Sequence, residues 1–236
     1  MEVYLVTGAN RGIGLALTRV LLASGKQVIA GCRDPDAAAD LKQLARGNSD
    51  AIDLIMCDVT NEQSLHSVAE DVRKRRSKLD VIVNNGAIMP EQGSESILEI
   101  DLSLFSNAFD TNVLGPVRVV RAFYSMLIES GRPRIVNVSS GLGSITDREG
   151  SDYYCYATSK AALNMVTRSI AFELGPKGIT AVAISPGWVR TGMGGQNAPL
   201  SAEESARSLA ATIEKIGPAQ NGQFLSRDGK TGEYLW

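Results

Sequence analysis

Histidine is nearly absent from this 236-residue sequence: the one residue of that type is His66, in a polar-amphipathic run over 60–76. A Ser-His-Asp or Cys-His site would have to be built on it alone, so chemistry of those kinds has little to work with. Cysteine is scarce as well. Cys32, Cys57 and Cys155 are odd in number and scattered, with no CxxC pair and no histidine beside them. That suits reduced, buried thiols better than disulfides or zinc, and leaves no metal site to expect. No apolar run approaches the ~18 residues of a membrane-spanning helix, and the chain passes straight into Val3-Tyr4-Leu5-Val6 without a charged leader. Neither sign of charge dominates. A net charge of -2 and a pI near 5.6 offer no general attraction to nucleic acid or to an anionic membrane. The expectation is a cytoplasmic protein with neither as partner. Composition does not break anywhere, and 44% hydrophobic residues over this length bury a full core, which predicts one domain over 1–236.

What is present is a series of short apolar segments alternating with helical patterns. Residues 2–6 read as a strand, followed by Thr7-Gly8-Ala9-Asn10-Arg11-Gly12-Ile13-Gly14 and a helical pattern carrying Leu15, Leu17, Val20, Leu21 and Leu22. Strand, glycine turn and helix in succession let the backbone approach a pyrophosphate at the helix N-terminus. The spacing is GxxxGxG and no Lys-Ser/Thr follows Gly14, which disfavours a nucleotide triphosphatase loop. Residues 27–32 form a second strand, at whose end a carboxylate would normally hold the adenosine ribose of NAD. Cys32 stands there, followed by Arg33, and Arg11 lies in the glycine turn. Two guanidinium groups without that carboxylate favour a 2′-phosphate, hence NADP(H) over NAD(H). Asp34 takes the acidic role if the strand ends one or two residues later; Asp34-Pro35-Asp36 reads equally as a turn and helix start.

Further strands are expected at 52–56, 79–83, 134–138 and 179–184. The first of these leads through Cys57-Asp58-Val59 to Thr60, read as the cap of a helix that finishes in Arg73-Lys74-Arg75-Arg76. Four cations at a helix C-terminus suit the macrodipole and solvent better than nucleic acid. The second opens into Asn84-Asn85-Gly86-Ala87, and 98–130 holds a helix with Asn112 in its middle, close to Pro116, which removes a backbone donor. Asn112 there either offers a carbonyl or amide to water or is a buried, locally satisfied side chain. The strand at 134–138 opens into Ser139-Ser140-Gly141-Leu142-Gly143-Ser144, and the last into Ser185-Pro186-Gly187-Trp188-Val189-Arg190-Thr191. Short all-apolar strands alternating with helices mean a parallel sheet covered on both faces, with its crevice at the carboxyl ends of the strands. The Gly-rich 192–199 is a lid or a connector, Ser201-Ala202-Glu203-Glu204 is a capping box, and the tail holds a turn at Asp228-Gly229-Lys230 and an aromatic, Trp236, expected to pack back on the body.

Tyr156-Ala157-Thr158-Ser159-Lys160 heads an apolar helical run. Four residues apart, the two long side chains stand one turn apart on one face, so an ammonium can sit near a phenol. A free Tyr titrates near pH ~10, and a neighbouring cation lowers that value toward useful acid–base chemistry. Alone, the pair reads as well as a surface contact on a helix.

Taken in order, these pieces resemble the classical short-chain dehydrogenase/reductase family over the whole chain. The matching residues are Thr7-Gly8-(Ala9-Asn10-Arg11)-Gly12-Ile13-Gly14, Asp58, Asn84-Asn85-Gly86-Ala87, Asn112, Ser140, Tyr156 with Lys160, and Pro186-Gly187 with Thr191. The stretch 137–145 and an ending in Asp-Gly then Trp look like the branch containing C-factor and the Sniffer-type carbonyl reductases. The chain departs from the family in three places. Asn-Asn-Gly-Ala replaces Asn-Asn-Ala-Gly; Ser140 lies 16 rather than 13 residues before Tyr156; and Tyr153, at the usual interval, lacks the lysine. Ser144 is therefore the reserve to Ser140.

The resemblance implies a single-domain Rossmann fold, a doubly wound parallel sheet of about seven strands with helices on both faces. It also implies hydride transfer from NADPH to an aldehyde, ketone or quinone. Tyr156 would be the acid, Ser140 would orient the oxygen, Lys160 would lower the Tyr156 pKa and hold the nicotinamide ribose, and Asn112 would bind a water linking Lys160 to solvent. Gly8, Asn10, Arg11, Gly12, Ile13 and Gly14 would cradle phosphate, Arg33 the 2′-phosphate, Asp58 and Val59 the adenine, Asn84 and Gly86 the adjacent ribose, and Pro186, Gly187, Val189 and Thr191 the nicotinamide side. Family members pair through the helices here at 101–130 and 156–174, implying a homodimer or homotetramer. A second class of function is a dinucleotide-binding signalling protein of the C-factor type in which turnover is incidental.

Overall fold

The computed structural model describes all 236 residues. Each strand is apolar because it is covered on both faces. In β1 (Val3–Thr7) the side chains of Val3 and Leu5 go to one face and those of Tyr4 and Val6 to the other, the period-2 alternation of a pleated strand. Around it run β2 (Gln27–Cys32), β3 (Ile52–Met56), β4 (Val81–Asn84), β5 (Arg134–Val138), β6 (Thr180–Ser185) and β7 (Phe224–Ser226). Every pairing is parallel and the order is β3-β2-β1-β4-β5-β6-β7. This is a Rossmann-type sheet of seven strands.

One face is covered by α1 (Gly12–Ala23), α2 (Ala39–Arg46) and α7 (Ala202–Lys215), through Leu15, Leu17, Leu21, Leu41, Leu209 and Ile213. The other is covered by α3 (Glu62–Arg73), α5 (Gly115–Leu127) and α6 (Tyr154–Leu174), through Leu65, Val72, Val119, Phe123, Leu127 and Leu174. Each fully buried Leu or Phe contributes about 1.5–3 kcal/mol of transfer free energy, so two continuous apolar layers hold the sheet flat enough to carry a crevice. Strand order reverses between β1 and β4, and that is where the carboxyl ends diverge.

Several boundaries differ from the sequence reading. Asn61, not Thr60, caps α3, accepting from Ser64 N–H at 2.9 Å; the Thr60 hydroxyl is turned back to Asp58 Oδ1 at 2.7 Å. The fourth strand starts at Val81 because Leu79 N–H is drawn to the Met126 carbonyl at the end of α5. The sixth is shifted by one residue for the same kind of reason, Ile179 N–H bonding Leu174 O. The long helix over 98–130 is three pieces: α4 (Ser103–Phe109), a π turn (Asp110–Leu114) and α5. Pro116 has no N–H to give the Asn112 carbonyl in the i→i−4 pattern, and the widened turn sits there. The cationic run after α3 is spent on the sheet edge, with Arg75 and Arg76 on Asp53 at 2.8 and 2.7 Å. The three cysteines are free and buried. No helix is long and apolar enough to cross a membrane.

Candidate active site

The glycine turn leaves β1 at the switch point. A Cβ on Gly14 would collide with the Gly8 carbonyl and the Asn85 amide, so α1 begins against the strand only because that residue is glycine. Asn85 fixes the turn to the end of β4: its Nδ2 donates to Thr7 O at 2.9 Å, and the N–H groups of Asn85 and Gly86 both donate to Thr7 Oγ1. The Asn-Asn-Gly-Ala variant therefore keeps the strand ends stapled. Arg11 is the N-cap of α1, extended and without a side-chain cap, so no side chain occupies the amides of Gly12, Ile13 and Gly14. Such a helix end fits a phosphate anion. Thr191, in the loop after β6, lies against Gly12 from the other side.

Asn10, Arg11 and Arg33 are exposed at the rim of this cleft. Asp34 Oδ1 accepts Asp36 and Ala37 N–H, each at 3.0 Å, and so closes its own turn. Asp58 holds Thr60 in the turn after β3, while Val59 packs under Gly115 and its carbonyl accepts from Arg118. The side chain of Asn84, expected at the ribose, is instead 2% exposed and donates to Asn137 Oδ1 at 2.8 Å across β4 and β5. Any contact Asn84 makes in the cleft comes from its backbone. Pro186 O accepts from Ser205, Gly187 turns the chain with φ 81°, and Val189 is buried against Leu200. The loop at 192–199 is tied down rather than loose: Trp188 Nε1 donates to Gly194 O, and Arg190 Nη1 to the Ala198 and Pro199 carbonyls.

At the carboxyl end of β5 three of the four candidate catalytic side chains meet. Tyr156 stands in the first turn of α6, buried, its phenol close enough to the Ser140 hydroxyl to be influenced by it. Lys160, one turn on, is 3% exposed; its Nζ donates to Val138 O at 2.8 Å and lies 5.5 Å from the centre of the Tyr156 ring. Burial pushes Tyr156 up to about 12, the Ser140 hydroxyl opposing and the Glu91 carboxylate adding to it. Burial alone takes Lys160 down to about 7. Lys160, its Nζ bonded to a strand carbonyl, is not among the groups that shift Tyr156 here, and burial disfavours the charged form of each.

Ser140 rather than Ser144 faces the phenol. The Ser144 hydroxyl is 2% exposed and donates to Asp147 at 2.7 Å, and Ser139 is likewise committed to Asn164. The Asn112 side chain exchanges two bonds with the Ile88 backbone, both at 2.8 Å, and donates to Ser159, which donates to Tyr156 O. Both Nδ2 protons are thus used while Oδ1 keeps one lone pair, and the side chain fastens the β4 exit to α6. Four contributors went unseen in the sequence: Glu91, Ser159, Asp147 and Tyr234. Tyr234 packs on Gly141 beside Ser140, and Leu235 N–H and Ser144 share Asp147.

Residues 2–200 match the family described as short chain dehydrogenase. Among solved structures, the carbonyl reductase Sniffer of D. melanogaster superposes with a TM-score of 0.95 at 33% identity, covering 100% of both chains. An NADPH-bound carbonyl reductase from chicken fatty liver does so with 0.92 at 32%, again over 100% of each. The C-signal of Myxococcus xanthus is 36% identical over 152 residues, 64% of this chain and 90% of that one.

Proposed function

The chain belongs to the short-chain dehydrogenase family, of Sniffer and C-factor type, and from that premise we propose that it reduces an aldehyde, ketone or quinone to the alcohol with NADPH. The observation that carries the reading is the meeting of Tyr156, Ser140 and Lys160 at the end of β5, beside an uncapped helix N-terminus. Bound in that cleft, NADPH supplies a hydride to the carbonyl carbon. Residues 8–14 hold its phosphates, Arg11 and Arg33 the 2′-phosphate, Asp58 and Val59 the adenine end, and Gly86 with the Asn84 backbone the neighbouring ribose. Tyr156 and Lys160 hold the nicotinamide ribose, and Pro186, Gly187, Val189 and Thr191 the nicotinamide. The exposed guanidinium groups, together with an Asp34 occupied by its own turn, support NADP(H) over NAD(H).

Tyr156 gives its proton to the carbonyl oxygen, whose negative charge is growing, while the Ser140 hydroxyl donates a hydrogen bond to the same oxygen. As the phenol loses its proton, the buried anion raises the proton affinity of Lys160, whose ammonium then balances it. With three buried free thiols, the one domain over 1–236 suits the reducing cytoplasm. The exposed Met165 and Phe172 of α6 support pairing into a homodimer or homotetramer. Oxidation of NADPH by the protein with a panel of carbonyl compounds tests the reading. The identity with C-signal favours a second one, a dinucleotide-binding signalling protein with incidental turnover; a sensing role survives Tyr156→Phe, and a catalytic one does not.

A further inference from the structure

The loop between β4 and α4 brings a carboxylate to the acid that no part of the mechanism above uses. Helix α6 starts without a cap of its own: its N-cap, Tyr153, is in the left-handed region with φ 57° and makes no side-chain cap bond. The first-turn N–H of Tyr156 is taken instead by Glu91 Oε1 at 2.6 Å, from 65 residues away. Glu91 is 5% exposed, and its second oxygen, Oε2, is buried without any partner. A side chain kept there only to satisfy an N–H needs one acceptor and no charge, since an unpaired buried carboxylate oxygen is costly. The same loop is held in place twice more. Glu95 accepts the N–H groups of Gln92 and Gly93, and the Tyr153 ring lies flush on Gly93, where a Cβ could not fit.

We propose that Glu91 is the positioning residue of Tyr156: buried beside the head of α6, one of its carboxylate oxygens takes the tyrosine N–H and so fixes where the phenol stands. This rests on Tyr156 being the acid of a carbonyl reduction. The groups that face this corner are Lys160 and Cys155 from α6, Ser140 from the β5 exit, and Glu91, Glu95 and Asp101 from the segment before α4. Burial raises the phenol most and the Glu91 carboxylate adds to it, so losing that carboxylate shows in the titration of the phenol.

Glu91→Gln keeps an acceptor and removes the charge; Glu91→Ala removes both. The expected result is that the alkaline limb of kcat/KM for reduction, where the phenol deprotonates, moves to lower pH in Glu91→Gln. Glu91→Ala should lose about tenfold more of kcat than the Gln protein, with KM and NADPH affinity little altered. A Glu91→Gln profile that superimposes on the wild type overturns the proposal, even if Glu91→Ala fails to fold. The readout that needs no substrate is the 13Cζ resonance of Tyr156, assigned by its loss in Tyr156→Phe. It should titrate at lower pH in Glu91→Gln, and an unchanged titration again rejects Glu91. Failure of the carbonyl reductase reading looks different, as a wild-type protein that turns over no carbonyl compound.

Discussion

Lys160 Nζ donates to the Val138 carbonyl at 2.8 Å while lying 5.5 Å from the ring centre of Tyr156. The lysine is thus a buried tie between α6 and β5 before it is anything to the phenol. Burial leaves it near neutrality, at about 7, and leaves the tyrosine protonated at about 12. On the proposed reading the site rests with its acid protonated, and Lys160 takes up charge as the phenol loses its proton.

Ser140 and Ser144 are separable by substitution. Ser140→Ala removes the donor facing the phenol and should lower kcat by roughly 10²–10³-fold. Ser144→Ala only frees Asp147 and should cost about 1 kcal/mol of stability. Steady-state kinetics and urea melts on both proteins check this; a large kcat loss in Ser144→Ala alone would reverse the assignment.

On the proposed NADP(H) reading, the 2′-phosphate contact falls to Arg33 and Arg11. Charge-assisted bonds of this kind contribute about 1.5–3 kcal/mol each. Arg33→Ala should therefore weaken NADPH by about tenfold to a hundredfold and leave NADH almost untouched. Fluorescence titration with both nucleotides reads the difference; equal loss for the two would return the site to NAD.

The tail bears on the catalytic loop. Tyr234 stacks on Phe224 with centroids 5.4 Å apart and covers Gly141, and Trp236 O accepts from Thr146. Tyr234→Ala should lower the melting temperature and, by loosening Ser140, reduce kcat, with NADPH affinity retained. A destabilised protein of normal kcat would confine the tail to a structural role.

Much of this was legible in the chain, for physical reasons. The Tyr156–Lys160 pair and the glycine turn are local: helical periodicity and backbone freedom act within a few residues, so spacing reports them. The doubly wound sheet followed from strands apolar on both faces. What spacing could not report are contacts between distant segments, such as Glu91 on Tyr156, Leu235 on Asp147, and the burial of Asn84 against Asn137. Asn112 shows the limit most directly. Its place beside Pro116 was readable, but whether its amide faced water or Ile88 depended on where the β4 exit came to rest.

Acid should undo the amino end of the sheet. Burial would raise Asp80, but hydrogen bonds from Ser130, Val3 and Lys78 overcome it and hold the carboxyl below its ordinary value of 3.8. Glu2 is held below 4.5 in the same way: burial would raise it, and Lys26 and Arg134 lower it. Folded values depressed below unfolded ones contribute stability that is present above the unfolded values and lost as pH falls through the folded ones. Urea melts from pH 7 down to about 3 should show a fall beginning below about pH 5, and Asp80→Asn should flatten it. A slope unchanged by Asp80→Asn would mean other groups carry the acid response.

The measurement that bears most directly on the central claim is NADPH oxidation with a panel of aldehydes, ketones and quinones, wild type beside Tyr156→Phe. The account predicts turnover in the wild type that falls at least about 10²-fold in the variant, with NADPH still bound by both. Equal turnover in the two proteins, or a wild type that does not bind NADPH, would contradict it.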